Sequence, residues 1–124
     1  MRMILVVEDD KNTSLAICAR LRASGYDVVT AFDAASGVET ARLLSPALIL
    51  LDISVPGGSG FSVAESLRAF PETRSTPFIF LTASKLPQIR ERALQAGAAG
   101  FIEKPYDAKD LLEAVRGALE PASL

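Results

Sequence analysis

Ala47-Leu-Ile-Leu-Leu51 is five apolar residues in succession, and it runs directly into Asp52-Ile-Ser-Val-Pro-Gly-Gly-Ser-Gly60. A strand with one wet face alternates apolar and polar residues. An unbroken apolar run of this length implies burial on both faces, as in a parallel sheet covered by helices. Four further runs rich in β-branched or large apolar residues, Met3 to Val7, Val28 to Ala31, Phe78 to Leu81 and Gly100 to Ile102, read as companion strands. Between and after them, helical periodicity covers Ser14 to Ala23, Ala34 to Leu44, Ser62 to Phe70, Pro87 to Ala96 and Lys109 to Leu119. Gly25 stands where a left-handed helix end is expected, and Asp33 and Asp107 stand where N-caps would open the second and fifth helices. Strict alternation of strand and helix predicts an α/β, doubly wound parallel sheet with five strands and five helices.

The chain has 124 residues, 49% hydrophobic and 23% charged, which suits one compact folded domain spanning 1–124. With a net charge of -2 there is no cationic excess to neutralise a nucleic-acid backbone or an anionic membrane surface. No apolar run approaches the roughly 20 residues of a spanning helix. Met1-Arg2-Met3 leads straight into a strand, with no signal-peptide pattern, so a cytoplasmic location is expected. The tail Glu120-Pro-Ala-Ser-Leu124 is too short for an effector module. The single cysteine, Cys18, has no partner for a disulfide within the chain and reads as small core packing on the first helix. There is no histidine, which removes Ser-His triads, His-ligated zinc and a phosphohistidine carried by this chain.

In an open parallel sheet, ligands bind beyond the carboxyl ends of the strands. The residues there are Glu8, Asp9 and Asp10 after strand one, Asp52 after strand three, Thr82 at the end of strand four and Lys104 after strand five. Several carboxylates brought together repel one another unless a cation balances them. Oxygen-only ligands suit a hard ion, and magnesium fits a shallow site because it keeps waters and recruits phosphate oxygens. Asp52 is then placed to act as a carboxylate nucleophile on phosphorus, with Lys104 and the Thr82 hydroxyl meeting the transferred oxygens.

Taken one at a time, these residues have plainer readings. Glu8, Asp9 and Asp10 suit the start of the first helix as dipole partners, Thr82 suits a strand, Lys104 a solvated loop, Pro105 a turn, and Phe101 the core under strand five. Their combined weight comes from convergence on one edge. Gly57-Gly58 gives the loop after Asp52 unusual backbone freedom, which predicts mobility before a metal binds.

Ile4-Leu-Val-Val-Glu-Asp-Asp10, Leu50-Leu-Asp-Ile-Ser-Val-Pro-Gly-Gly-Ser-Gly60, Phe80-Leu-Thr-Ala83 and Phe101-Ile-Glu-Lys-Pro105, in that order, resemble the receiver domain of two-component response regulators, in particular the single-domain, chemotaxis-regulator-like type. The resemblance covers essentially the whole chain. It implies a flavodoxin-like sheet of order 2-1-3-4-5. It implies Asp52 as phosphoacceptor, magnesium held by Glu8, Asp9, Asp52 and the Ser54 backbone carbonyl, and Thr82 and Lys104 at the phosphoryl group. It also implies a cis peptide before Pro105, and Thr82 with Phe101 as the switch pair. Glu8 stands where Asp is often found, Phe101 where some relatives carry Tyr, and Ser54 and Ser84 at variable positions beside the phosphosite.

The same resemblance implies a phosphorelay role in which a histidine kinase or histidine phosphotransfer protein supplies the phosphoryl group. A downstream protein would meet the face of helix four, strand five and helix five, including Arg90, Arg92, Gln95 and Lys109. The chain itself would be a monomer or a weak phosphorylation-dependent dimer, an enzyme only toward its own phosphorylation and dephosphorylation. Two other classes compete. A haloacid-dehalogenase-like phosphatase shares the aspartate nucleophile and magnesium but needs a second carboxylate two residues on, where this chain has Ser54. A phosphate-independent interaction module would have no need of the acidic cluster. A Walker-type nucleotide loop is not supported, since Gly57-Gly-Ser-Gly60 lacks the Lys and Ser/Thr that would follow.

Overall fold

The computed structural model describes residues 2–120; the tail 121–124 and Met1 lie outside the described residues. Five strands, β1 (Met3–Val7), β2 (Asp27–Ala31), β3 (Leu48–Asp52), β4 (Phe78–Thr82) and β5 (Gly100–Glu103), alternate with five helices. The helices are α1 (Lys11–Ala23), α2 (Ala34–Leu44), α3 (Gly60–Ala69), α4 (Pro87–Gln95) and α5 (Ala108–Leu119). All strand pairs are parallel, in the order β2-β1-β3-β4-β5. This is the doubly wound, flavodoxin-like sheet that the alternating pattern and the resemblance predict.

The apolar run that opens the analysis explains the two layers. Successive strand side chains point to opposite faces. Leu48 and Leu50, with Ile4, Val6, Ile79 and Leu81, pack against Ile17 and Leu21 of α1 and Leu111 and Val115 of α5. Ile49 and Leu51, with Leu5, Val7, Phe78 and Phe80, pack against Ala34 and Ala41 of α2, Val63 and Leu67 of α3 and Ala93 of α4. Cys18 is buried in the first of these layers, as expected of a packing residue.

Helix starts are where the sequence reading and the structure differ. The helix α1 begins at Lys11 rather than Ser14, because Asp10 is its N-cap: Asp10 Oδ1 accepts from the Asn12 amide at 3.2 Å and Oδ2 from the Thr13 hydroxyl at 2.6 Å. The polar stretch Lys11-Asn-Thr13 carries no apolar periodicity and so hides its helical state. Likewise α3 begins at Gly60 rather than Ser62, through a capping box between Ser59 and Ser62. Asp33 and Asp107 cap α2 and α5 as predicted, and Gly25 adopts φ +91° after α1.

The loop after Asp52 is more constrained than its glycines suggest. Gly57 uses the left-handed region, with φ +80°, and a Cβ on Gly58 would lie 2.6 Å from Ser62 Oγ, so a side chain there would displace the hydroxyl of the Ser59–Ser62 capping box. The loop is tied down by the Ala34 amide donating to the Pro56 carbonyl at 3.0 Å and the Gly60 amide to the Ile53 carbonyl at 2.8 Å. These bonds anchor the loop at both ends, at Pro56 and at Ile53. At its far end, α3 presses onto the end of β3: a Cβ on Gly60 would stand 2.8 Å from the Asp52 carbonyl oxygen and 2.9 Å from Ile53 Cα. Both are backbone atoms that cannot yield. Gly60→Ala should therefore destabilise the fold by about 1–3 kcal/mol, despite the better helix propensity of alanine. A lower urea midpoint at unchanged slope would register this, and an unchanged midpoint would refute the close approach.

Candidate functional site

Strand register decides which polar residues meet. Val7 lies beside Leu51, Asp52 beside Leu81, and Thr82 beside Glu103, so the residues at and just beyond these pairs crowd onto one edge. Glu8 extends the ladder through its amide, which donates to the Ala31 carbonyl at 3.1 Å, and its side chain is only 1% exposed. Asp52 is the last residue of β3 and is buried; the turn after it folds back so that the Ser54 amide donates to Asp52 Oδ1 at 2.8 Å. Thr82 closes β4, buried, with its Oγ1 accepting from the Ser84 amide at 3.0 Å. The Lys104 amide donates to the Thr82 carbonyl at 2.7 Å, and the Lys104–Pro105 peptide is cis.

One carboxylate oxygen each from Glu8, Asp9 and Asp52 lies within 4.8 Å of the other two. Asp10, the third acid of the same run, is turned away as the cap of α1, so the helix-start reading holds for Asp10 alone. Lys104 Nζ donates to both Glu8 Oε1 and Asp52 Oδ2, each at 2.6 Å. One ammonium thus faces three acidic groups and leaves the pocket with a surplus of negative charge. Hard oxygen donors, a shared focus and uncompensated charge fit a divalent cation of the magnesium type. The residues able to hold one are Glu8, Asp9 and Asp52.

Burial is the largest influence on Glu8, followed by its hydrogen-bonding contact with Asp52. Together they outweigh the Lys104 bond and push its pKa from an ordinary 4.5 up to about 7. For Lys104, burial alone would lower the pKa, but the bonds to Asp52 and Glu8 prevail and raise it, so the ammonium stays charged throughout the neutral range. Tyr106, half-buried next to the lysine, has its phenol pushed up by burial. The sequence reading passed over Tyr106. Its signal was its position two residues past Lys104.

Phe101 sits beside Phe80 in the β4–β5 register, two residues short of Thr82, half-buried in the layer that holds α4. The face expected from Arg90, Arg92, Gln95 and Lys109 divides. Arg90 does face β5, 3.7 Å from Glu103 and over the Phe101 ring, and Lys109 lies on α5 within 4.0 Å of Glu113. Arg92 and Gln95 instead line a cleft toward α3, with Phe61, Ala64, Glu65 and Arg68. At about 100° per residue, Arg90 and Arg92 cannot share one helix face.

A doubly wound sheet with a buried aspartate, two more acidic groups and a lysine at its carboxyl edge defines an α/β domain built to handle an anion together with a hard cation. The family model described as "Response regulator receiver domain" matches residues 4–116, and the chain belongs to that family. It is 36% identical over 122 residues to the phosphate regulon transcriptional regulatory protein PhoB of Escherichia coli, covering 98% of this chain and 53% of the relative. The chain spans about half the length of the curated relatives it matches. Among solved structures, the chemotaxis protein CheY4 of Vibrio cholerae aligns with a TM-score of 0.90 at 26% identity, covering 96% of this chain and 99% of that one. The receiver domain of a sensor histidine kinase from Pseudomonas aeruginosa, with a magnesium ion coordinated in its active-site cleft, aligns with a TM-score of 0.85 at 34% identity, covering 94% and 97%. The chain is thus a receiver domain of two-component signalling. Among the described residues, no helix is long and apolar enough to cross a membrane.

The raised pKa of Glu8 has a signed consequence. The folded state holds this proton more tightly than the unfolded chain, so the associated stability is complete below pH 4.5 and is lost as pH rises toward about 7. Asp10, Asp33 and Glu72 are shifted downward, so their contribution is complete across this window and is lost only at lower pH. In a chelator, the urea midpoint should fall between pH 5 and 7.5, and Glu8→Gln should flatten that slope. An equally steep slope in the variant would assign the proton elsewhere.

Proposed function

We propose that this receiver takes a phosphoryl group on Asp52 from a partner histidine kinase or histidine phosphotransfer protein and passes the change to a downstream protein. The observation that carries the reading is the environment of Asp52: buried at the end of β3, within 4.8 Å of Glu8 and Asp9, and bonded to Lys104 at 2.6 Å. Magnesium would be held by Glu8, Asp9, Asp52 and the Ser54 backbone carbonyl. When bound, the ion supplies positive charge to the carboxylates and to the incoming phosphoryl oxygens.

Asp52 is oriented for attack by the Ser54 amide on Oδ1, which fixes the carboxylate plane. A carboxylate oxygen forms the new bond to phosphorus as the phosphorus–nitrogen bond to the donor's imidazole breaks, and the imidazole nitrogen keeps the electron pair. Lys104, already on Oδ2, is placed to pair with a phosphoryl oxygen, which offsets charge where it accumulates. The Thr82 hydroxyl turns to donate to another, drawing the end of β4 inward, and Phe101 on the neighbouring strand follows. The added charge thereby biases two arrangements of the output face.

That face lies along α4, β5 and α5, where Lys85 and Arg90 stand opposite Glu103, Asp110 and Glu113 around Phe101 and Tyr106. Mixed charge around an aromatic centre suits a protein partner, or a weak phosphorylation-dependent dimer of an otherwise monomeric chain. The net charge of -2 favours neither direct nucleic-acid binding nor a membrane surface, and a cytoplasmic site of action agrees with a kinase donor. The domain would occupy 1–124 and act on no substrate beyond its own Asp52.

Intact-mass analysis after incubation with magnesium and acetyl phosphate tests this. Wild type should gain a single phosphoryl adduct that disappears in chelator and in Asp52→Asn. An adduct retained by Asp52→Asn would sink the assignment, and no adduct from any donor would favour a phosphate-independent interaction module.

A further inference from the structure

The helix α4 is held differently from the other four. Among its described residues only Ala93 is buried, while Leu94 is 67% exposed and the cap residue Leu86 is 60% exposed with no side-chain capping bond. A cleft of about 260 Å³ separates it from α3, where neighbouring helices would ordinarily interdigitate. Arginines span the gap. Arg68 of α3 donates to the Ala96 carbonyl at the end of α4. The Arg92 guanidinium lies 4.1 Å from the centroid of the Phe61 ring on α3, much closer than Arg90 lies to Phe101, at 5.8 Å.

Phe61 is not free to follow Arg92. It is buried, its ring centroid is 4.9 Å from that of Phe80 and it adjoins Gly60, which is pressed against the Asp52 carbonyl. Phe80 in turn packs edge-on against Phe78, 5.3 Å away. One end of the Arg92–Phe61 stack is therefore anchored to the phosphosite loop and the sheet, and the other rides on the helix that follows Thr82 through residues 83–86. If the end of β4 is drawn inward, α4 moves relative to a ring that stays in place.

From this we infer that the Arg92–Phe61 stack is a restraint on the switch: it stabilises the phosphoryl-free position of α4, outside the output face, and makes Arg92 a positioning residue for the response to phosphorylation. The inference rests on the phosphoacceptor reading of Asp52. A contact that is lost when α4 moves opposes binding of any ligand that favours the moved arrangement, by the free energy of that contact. An exposed cation–π contact of this kind corresponds to about a two- to fivefold change in an equilibrium constant.

The test is an amide NMR titration with magnesium and beryllofluoride, a phosphoryl mimic for the Asp52 carboxylate, on wild type, Arg92→Gln and Arg92→Lys. Arg92 is exposed, so both variants keep the core. Arg92→Gln should reach half-saturation at about two- to fivefold lower beryllofluoride than wild type, and Arg92→Lys at a value between the two, since an ammonium is still attracted to the ring face but cannot stack flat on it as a guanidinium does. A purely electrostatic role for Arg92 gives the opposite sign for Arg92→Gln, weaker binding of an anion, and no change for Arg92→Lys. That pattern, or half-saturation unchanged in both variants while wild type binds, would overturn the restraint. Failure of wild type to bind would instead remove the phosphoacceptor reading beneath it.

Discussion

Lys104 is the residue on which the arrangement of the carboxyl edge depends. Its ammonium reaches from the end of β5 to Glu8 after β1 and to Asp52 at the end of β3, at 2.6 Å each, linking three strands that are not all neighbours in the sheet. Two buried carboxylates brought this close would otherwise repel, and the pair is tolerable because the cation between them satisfies both. The compensation is incomplete. Glu8 remains pushed toward its protonated form and Asp9 adds a further acid, so the pocket keeps an appetite for positive charge. A site that is assembled but undercharged suits a reversible ligand, since an incoming cation would replace repulsion with coordination and require little rebuilding of the backbone.

The distribution of apolar burial around that edge is uneven, and the unevenness has a functional direction. The helices α1, α2, α3 and α5 each place at least two buried side chains in the core, whereas α4 contributes Ala93 and a half-buried Ile89. An element with few buried contacts is the one that a small change in charge can move, because there is little packing energy to oppose the motion. Polar tethers through Arg68, Arg90 and Arg92 take the place of packing there. They give α4 a defined position without the depth of a core contact, which suits a switch whose two states are close in free energy.

Much of this was legible in the chain because strand burial writes itself into composition. Ala47-Leu-Ile-Leu-Leu51 cannot serve a sheet with one wet face, and the parallel, two-layer architecture follows from it. The caps at Asp33 and Asp107 were readable because each stands immediately before an apolar-periodic helix. Asp10 and Ser59 were missed as caps because the first helical turns after them, Lys11-Asn-Thr13 and Gly60-Phe-Ser62, show no periodicity. The same local chemistry divides the acidic run: Asp10 spends its carboxylate on Asn12 and Thr13, while Glu8 and Asp9 turn toward Asp52.

The sequence by itself determined the element order, the two buried layers and the identity of the polar residues at strand ends, because these depend on local periodicity and on the rule that a parallel sheet binds ligands at its carboxyl edge. Only the tertiary structure decided which of those residues touch, and with what consequence. That Lys104 bridges Glu8 and Asp52, that Gly60 is required by the Asp52 carbonyl, and that Arg92 turns toward α3 to stack on Phe61 are set by strand register and helix rotation. These are distances between residues far apart in the chain. No local pattern encodes them, because they arise when separate elements settle against a common core.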